Sequence, residues 1–294
     1  MSHESRAGST AGQPASRAVP SGRGICAGDT VLLADVGNSR IKLARLDEAA
    51  PVAAGGVPAV TRRQDLDSRS FRAENLERWL LGAAPGPAVI LVASVYEAAA
   101  TRLEAAVAEI SATRHRPIRQ RRIAHLDLAL DISLPEPGRV GIDRLAAAAA
   151  AGLVKPADRA AVVVDCGTAI TVDMVSSAGA FLGGAILPGP LLMARALADG
   201  TSRLPAVTAL GGGQVPAMPG RSTEEAIAAG IGLGIRGAVA RLVAEARAAL
   251  GEPAVTILTG GAAAAVHDAL PDAIVVPDLV LAGIALAAGR ACAR

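Results

Sequence analysis

Two short segments of this chain carry the residue types that phosphate and cation chemistry needs. An apolar run, Val31-Leu32-Leu33-Ala34, delivers Asp35-Val36-Gly37-Asn38-Ser39, and Ala161-Val162-Val163-Val164 delivers Asp165-Cys166-Gly167-Thr168-Ala169. Each sets a carboxylate at the end of a buried strand, then a glycine that lets backbone approach a ligand, then an amide or hydroxyl able to bond an oxyanion. Each continues as a second strand-like stretch, Arg40 to Leu46 and Ile170 to Val175, which makes each a hairpin. Taken singly, either could be an ordinary Asx or glycine turn. As a pair they imply two halves facing one ligand.

A third segment, Gly141-Ile142-Asp143-Arg144, follows a proline-rich loop, Leu134 to Gly138, and opens an alanine-rich helix running from Ile142 to Leu153. Two readings stand side by side. Asp143 is a helix-start carboxylate stabilised by the helix dipole, or it is a general base beside Arg144, a cationic anchor for an anionic substrate.

Other motifs are excluded by their context. Lys42 and Lys155 are the two lysines, and neither follows the glycine that a Walker A loop requires. Gly232-Leu233-Gly234-Ile235-Arg236-Gly237 satisfies G-x-G-x-x-G in letters, but it sits inside a helical run that begins at Thr223 rather than after a strand. No G-x-S-x-G elbow occurs, so hydrolase chemistry has no support. Cys26, Cys166 and Cys292 lack C-x-x-C spacing, and His3, His115, His125 and His267 form no ligand pair, which fits a reducing cytosol without a zinc site.

The elements that must position these residues alternate between strand and helix. Asn75 to Leu81 and Glu97 to Ile110 have helical spacing, and Ala88 to Ser94 is a buried strand by its length and composition. After the second hairpin come a glycine-rich turn at Gly183-Gly184 and Pro188-Gly189, a helix from Pro190 to Ala198, and a loop from Ser202 to Gly220. Ser222-Thr223-Glu224-Glu225 has the capping hydroxyls and first-turn acids of a helix start, and the helix continues to Leu250. Ala254 to Leu258 is a further strand ending in Thr259-Gly260-Gly261, and a last helix spans Asp278 to Arg290. The alternation predicts an α/β layer architecture.

At 294 residues the chain is long enough for two lobes. The expected division is a disordered extension over 1–29, rich in Ser, Gly, Pro and Arg, an N-terminal lobe over 30–155 and a C-terminal lobe over 156–294, with the break at Lys155-Pro156-Ala157-Asp158. No apolar run approaches the ~18 residues of a membrane span without an interrupting Asp, Arg, Gly or Pro, so no membrane partner is expected. A net charge of +2 and four aromatic residues in all leave little for nucleic acid to bind. No apolar secretory segment stands near the N-terminus, so the expected location is cytoplasmic.

Jointly with Thr259-Gly260-Gly261, the two hairpins resemble the phosphate and adenosine segments of the actin-like, sugar-kinase and Hsp70 ATPase superfold. With Gly141 to Arg144, Ile170-Thr171-Val172-Asp173, Gly183 to Gly189, Thr201 to Pro205 and Ser222-Thr223, the chain resembles type III pantothenate kinase in the order of its motifs. The resemblance implies duplicated ribonuclease H-like lobes with ATP in the cleft between them. It implies phosphorylation of pantothenate to 4'-phosphopantothenate, the first step of coenzyme A biosynthesis. Asp35, Val36, Gly37, Asn38, Ser39, Arg40, Ile41, Lys42 and Thr168 would bind ATP, with Asp35 holding Mg²⁺. Asp165 would hold a monovalent cation, K⁺ or NH₄⁺. Gly141, Ile142, Asp143, Arg144 and Thr223 would contact pantothenate, with Asp143 accepting the proton of its primary hydroxyl. The family also implies a homodimer with a shared active site. Ser39 stands where the family usually has Thr, and Leu134 where many members have Tyr. Two rivals share the hairpins: a kinase of the same superfold with another small hydroxyl or carboxylate acceptor, and a noncatalytic regulator on the same fold.

Overall fold

The computed structural model describes residue 25 and residues 28–50, 52, 55–208 and 212–291. Most of the N-terminal extension, and with it Cys26, lies outside the described residues, as does Cys292. Five strands, β1 (Thr30–Val36), β2 (Arg40–Leu46), β3 (Val60–Asp67), β4 (Ala88–Ser94) and β5 (Ile118–Arg122), form one sheet in the order β3-β2-β1-β4-β5. Helices α1 (Ala73–Ala83) and α2 (Glu97–Thr113) are interleaved with them. The short β6 (Asp131–Ile132) and helix α3 (Ile142–Val154) precede β7 (Ala160–Cys166), β8 (Ala169–Val175) and β9 (Ala180–Pro188). Then come α4 (Pro190–Gly200), α5 (Thr223–Leu250), β10 (Ala254–Thr259), β11 (Ile274–Val275) and α6 (Leu279–Ala291).

The second sheet has the order β11-β10-β7-β8-β9-β6. Read from β9 to β11, it repeats the first: an antiparallel pair of hairpin strands, then parallel partners across a central strand. This is the duplicated ribonuclease H-like arrangement of the actin-like superfold, as expected. The glycine-rich stretch at Gly183-Gly184 is strand rather than turn, because β9 pairs along its length with β8. Gly184 is needed there: a Cβ would fall 2.7 Å from the Cα of Asp173 on the neighbouring strand.

Alternation along the strands sorts their residues into layers. Val31 and Leu33 of β1, with Ala161 and Val163 of β7, join a central core with α3 and α6. Leu32, Ala34 and Val36 face α1 and α2, while Val162 and Val164 face α5. The molecule is thus helices, sheet, a shared helix pair, sheet, helices. In that central pair Gly283 of α6 lies so close to Ala146 of α3 that a Cβ would overlap the Ala146 carbonyl oxygen. α6 packs on β1 and β4 although it comes from the far end of the chain, and β6 joins the second sheet although it precedes the expected break at Lys155.

The expectation that no segment is long and apolar enough for a membrane does not hold for α5, which passes by length and composition. Its Ala, Ile, Leu and Val residues keep hydropathy high between widely spaced charges. Within the fold, its Ile227, Ile231, Ile235, Val239 and Val243 are buried against the second sheet.

Candidate active site

The same alternation decides where the two motif carboxylates point. Asp35 shares its parity with Val31 and Leu33, and Asp165 shares its parity with Ala161 and Val163, so both stand on the sheet faces turned toward the central layer. Each is the penultimate residue of its strand, just before the hairpin turn. Asp35 is opposite Lys42 in the β1–β2 ladder, and Asp165 is opposite Thr171 in the β7–β8 ladder.

The two loops are held by different neighbours. In the first, the Gly37 N–H donates to the Arg40 carbonyl at 3.0 Å, and buried Ser68 donates its hydroxyl to the Gly37 carbonyl at 2.7 Å. In the second, the Gly167 N–H donates to the Ala169 carbonyl at 3.0 Å, while Gly189 and Ala262 donate to Thr168 and Cys166 at 2.9 Å each. Gly260 has φ +94°, and a Cβ there would meet the Cys166 N and O at 2.5 Å. The tips meet: the Thr168 hydroxyl donates to Ser39 Oγ at 2.9 Å, joining the lobes across 129 residues of sequence.

Charge is concentrated between the tips. Asp35 is 7% exposed, and burial pushes its carboxyl from 3.8 up to about 6, opposed by Lys42 and assisted by the negative fields of Asp143 and Asp165. Lys42 Nζ lies 3.5 Å from Asp35 Oδ2. Burial pulls the lysine downward, but Asp35 and then Asp165 outweigh it and hold its pKa above the ordinary value. Burial also raises Asp165, again opposed by Lys42 and reinforced by Asp143 and Asp173. The hairpin ends therefore gather the carboxylates of Asp35 and Asp165 around one lysine, with the negative field of Asp143 reaching both carboxylates. Cys166, next to Asp165, is buried and its thiol is pushed up to about 12, chiefly by burial, which leaves it inert.

Asp143 sits in the first turn of α3, its Oδ1 accepting from the Arg144 N–H at 2.8 Å. Gly141 makes room for it, since a Cβ at 141 would fall 2.6 Å from that oxygen. Arg144 crosses to β8 and pairs with buried Asp173. Asp173 was visible in sequence only as part of a motif, without a role. A short-range signal for it existed: a charged residue at an inward position of a strand needs a partner.

Several predicted contacts are placed differently. Val36, Ile41 and Ile142 are buried in the cores, so only their backbones are available to a ligand. Arg40 is exposed and pairs with Asp65 at 3.3 Å instead of joining the cleft. Thr223 lies exposed at the start of α5, after Ser222, whose Oγ accepts from the Glu225 N–H at 3.1 Å. Among the described residues no hydrogen bond connects Thr223 to residues 141–144. The G-x-G-x-x-G stretch lies inside α5, as expected, where Gly232 allows Pro216 to pack at close range. There Arg236 grips Asp268 at 2.8 and 3.0 Å beside a cavity of about 180 Å³. Its lining includes Pro190, Pro216, Ile231 and Ala265.

Among the described residues no three His, Cys, Asp or Glu side chains converge to hold a metal by themselves. The donors that are present, carboxylate oxygens destabilised by burial and by one another, fit a hard cation whose remaining ligands are phosphate oxygens and water.

With this geometry in view, relatives decide the family. The model of the type III pantothenate kinase family matches residues 31–245. The chain belongs to that family. Two type III pantothenate kinases illustrate the likeness. That of Rhodopirellula baltica is 42% identical over 168 residues, 55% of this chain and 59% of the relative. That of Pseudomonas syringae pv. syringae is 45% identical over 155 residues, 51% of this chain and 59% of the relative. The chain thus aligns with less than two thirds of the length of either. A Campylobacter jejuni crystal structure described as a Baf family transcriptional activator superposes with a TM-score of 0.54 at 20% identity, covering 90% of this chain and all of that one. That likeness establishes the fold alone.

Proposed function

We propose that this type III pantothenate kinase family member transfers the γ-phosphoryl group of ATP to the primary hydroxyl of pantothenate, yielding 4'-phosphopantothenate and ADP. The observation that carries the reading is that Asp35 and Asp165 share the field of Lys42, with Asp143 near enough for its negative field to raise both carboxylates. Burying several carboxylates together costs stability, and phosphoryl transfer with a bound cation is a chemistry that uses them.

In this reading the Asp35–Lys42 hairpin and Thr168 take the phosphates of ATP, and the slot between Pro216 and Ile231 takes its base. Asp143 accepts the hydroxyl proton as the oxygen attacks the γ-phosphorus and the bond to the β-phosphate oxygen breaks. A loose transition state of this kind asks for positioning and positive charge more than for covalent help. Lys42 supplies charge from within the chain. Asp35 would hold Mg²⁺ and Asp165 a monovalent cation, and their positive charge would offset the negative charge of the phosphates. Gly141 to Arg144 would face the acceptor, with Thr223 contributed from the partner in a cytoplasmic homodimer.

The test is direct detection of 4'-phosphopantothenate after incubation with ATP, Mg²⁺ and pantothenate, with potassium, ammonium or sodium as sole monovalent cation. Product dependent on potassium or ammonium supports both the reaction and the Asp165 cation site. No product under any salt, with ATP still bound, would replace pantothenate by another acceptor or point to a regulatory role.

A further inference from the structure

We propose that Asp173 and Phe181 form a clamp that orients Arg144 and leaves it one guanidinium edge, the end-on one of Nη1, with which to bind the acceptor. The proposal rests on the reading of Gly141 to Arg144 as the acceptor side. Arg144 Nε donates to both carboxylate oxygens of Asp173, at 3.0 and 3.2 Å, and Nη2 also reaches Oδ1. Both side chains are withdrawn from water, at 16% and 2% exposure. The guanidinium carbon stands 5.6 Å from the centroid of the Phe181 ring, which is fully buried. Among the described residues, Nη1 takes no hydrogen-bond partner.

The clamp is built into β8 and β9. Val163 opposite Asp173 places its carboxylate on the inward face, and Gly184 lets β9 lie against it, where a Cβ would come 2.6 Å from Asp173 Oδ1. Any larger residue at 184 would displace the clamp.

The consequence is selective. A loose arginine presents a full fork that takes carboxylate or phosphate through two parallel bonds. Here the edge formed by Nε and Nη2 is already occupied by a carboxylate, and the pair carries little net charge. What remains is the end-on edge, the two N–H groups of Nη1 with the outer N–H of Nη2, fixed in direction and largely neutralised by Asp173, suited to the oxygens of a small acceptor and a weak trap for the phosphates of the other substrate. Asp173 is therefore a positioning residue that acts through Arg144, and it keeps that arginine from capturing nucleotide or free phosphate.

The experiment compares wild type, Asp173→Asn, Arg144→Ala and the double variant, with kcat and both KM values measured alongside thermal stability. Asp173→Asn is expected to raise the KM for pantothenate about tenfold, the scale of a hydrogen bond to a charged group, with the KM for ATP within twofold of wild type. Inorganic phosphate should then inhibit competitively with pantothenate, which it should not do in wild type. In the Arg144→Ala background the same change should add nothing. An unchanged KM for pantothenate, or an equal loss without Arg144, overturns the clamp. If Asp173→Asn does not fold, Phe181→Leu takes its place, with an expected rise of about threefold and none as the overturning result. If wild type makes no product from pantothenate, the acceptor reading falls, and the clamp is judged by ¹⁵N NMR of the Arg144 Nε–H. Slow exchange there supports it, and exchange at the rate of an exposed arginine overturns it.

Discussion

The β1–β2 and β7–β8 hairpins share strand order, inward parity and a terminal carboxylate, yet they differ in what stands across the ladder. Asp35 faces Lys42, whereas Asp165 faces Thr171. The first hairpin carries its own compensating charge, and the second borrows from the first, since Lys42 is held up by Asp35 and then by Asp165. Their supports differ as well. The first lobe has Ser94 opposite Val36, while the second has Gly260 packed against Cys166 in the corresponding place. The two hairpins thus form a symmetric frame, and side-chain differences place the one lysine on the first hairpin only.

The largest expected effect comes from a residue on neither hairpin. Asp143→Asn should lower turnover by about 10²- to 10⁴-fold, the usual range for a general base, while calorimetric ATP affinity stays near that of wild type. Turnover like that of wild type would remove Asp143 from the base role and return it to a helix-start carboxylate.

The difference between the lobes at their strand ends is tested by Gly260→Ala. The positive φ and the contact with the Cys166 backbone predict a loss of about 3 kcal/mol, read by chemical denaturation. Ser94→Ala in the first lobe should cost less than about 1 kcal/mol.

The electrostatic difference is tested by pH. Asp35 is raised from 3.8 to about 6, so the folded state binds this proton more tightly than the unfolded one; the resulting stabilisation is complete below pH 3.8 and is lost as pH rises through about 6. The full span corresponds to about 3 kcal/mol. Asp35→Asn should therefore remove part of the decline in stability expected of wild type between about pH 4 and 6, in paired denaturation curves. Curves of the same shape for both proteins would show that Lys42 compensates Asp35 fully.

The smallest effect belongs to the contact between the tips. The Thr168 to Ser39 bond is exposed and neutral, so Thr168→Ala and Ser39→Ala should each cost about 1 kcal/mol or less. The double variant should equal either single one if that bond is their shared role.

Much of the fold was legible because its signals are local. β2, β4 and the start of α5 follow from period and capping, as Ser222 shows. β3 and β5 escaped notice because their residues, such as Arg62-Arg63-Gln64 and Arg121-Arg122, are polar, and pairing rather than pattern makes them strands. β9 was hidden by its glycines, whose purpose is visible only when Asp173 lies beside them. In the site, Asp35 and Asp165 were legible from their motif, while the engagement of Arg40 with Asp65 was not, because it depends on a neighbouring strand.

By itself the sequence determined the element types, the paired hairpins and the position of Asp143 at a helix start, all set by spacing over a few residues. Strand parity, also local, determined that both motif carboxylates share a face with the inward core residues. Tertiary structure alone decided that one lysine serves both carboxylates, that Asp173 holds Arg144, and that α6 returns to the first sheet. Those outcomes depend on which distant surfaces are buried together. Burial sets both the packing energy and the cost of an unpaired charge, and no local spacing encodes it.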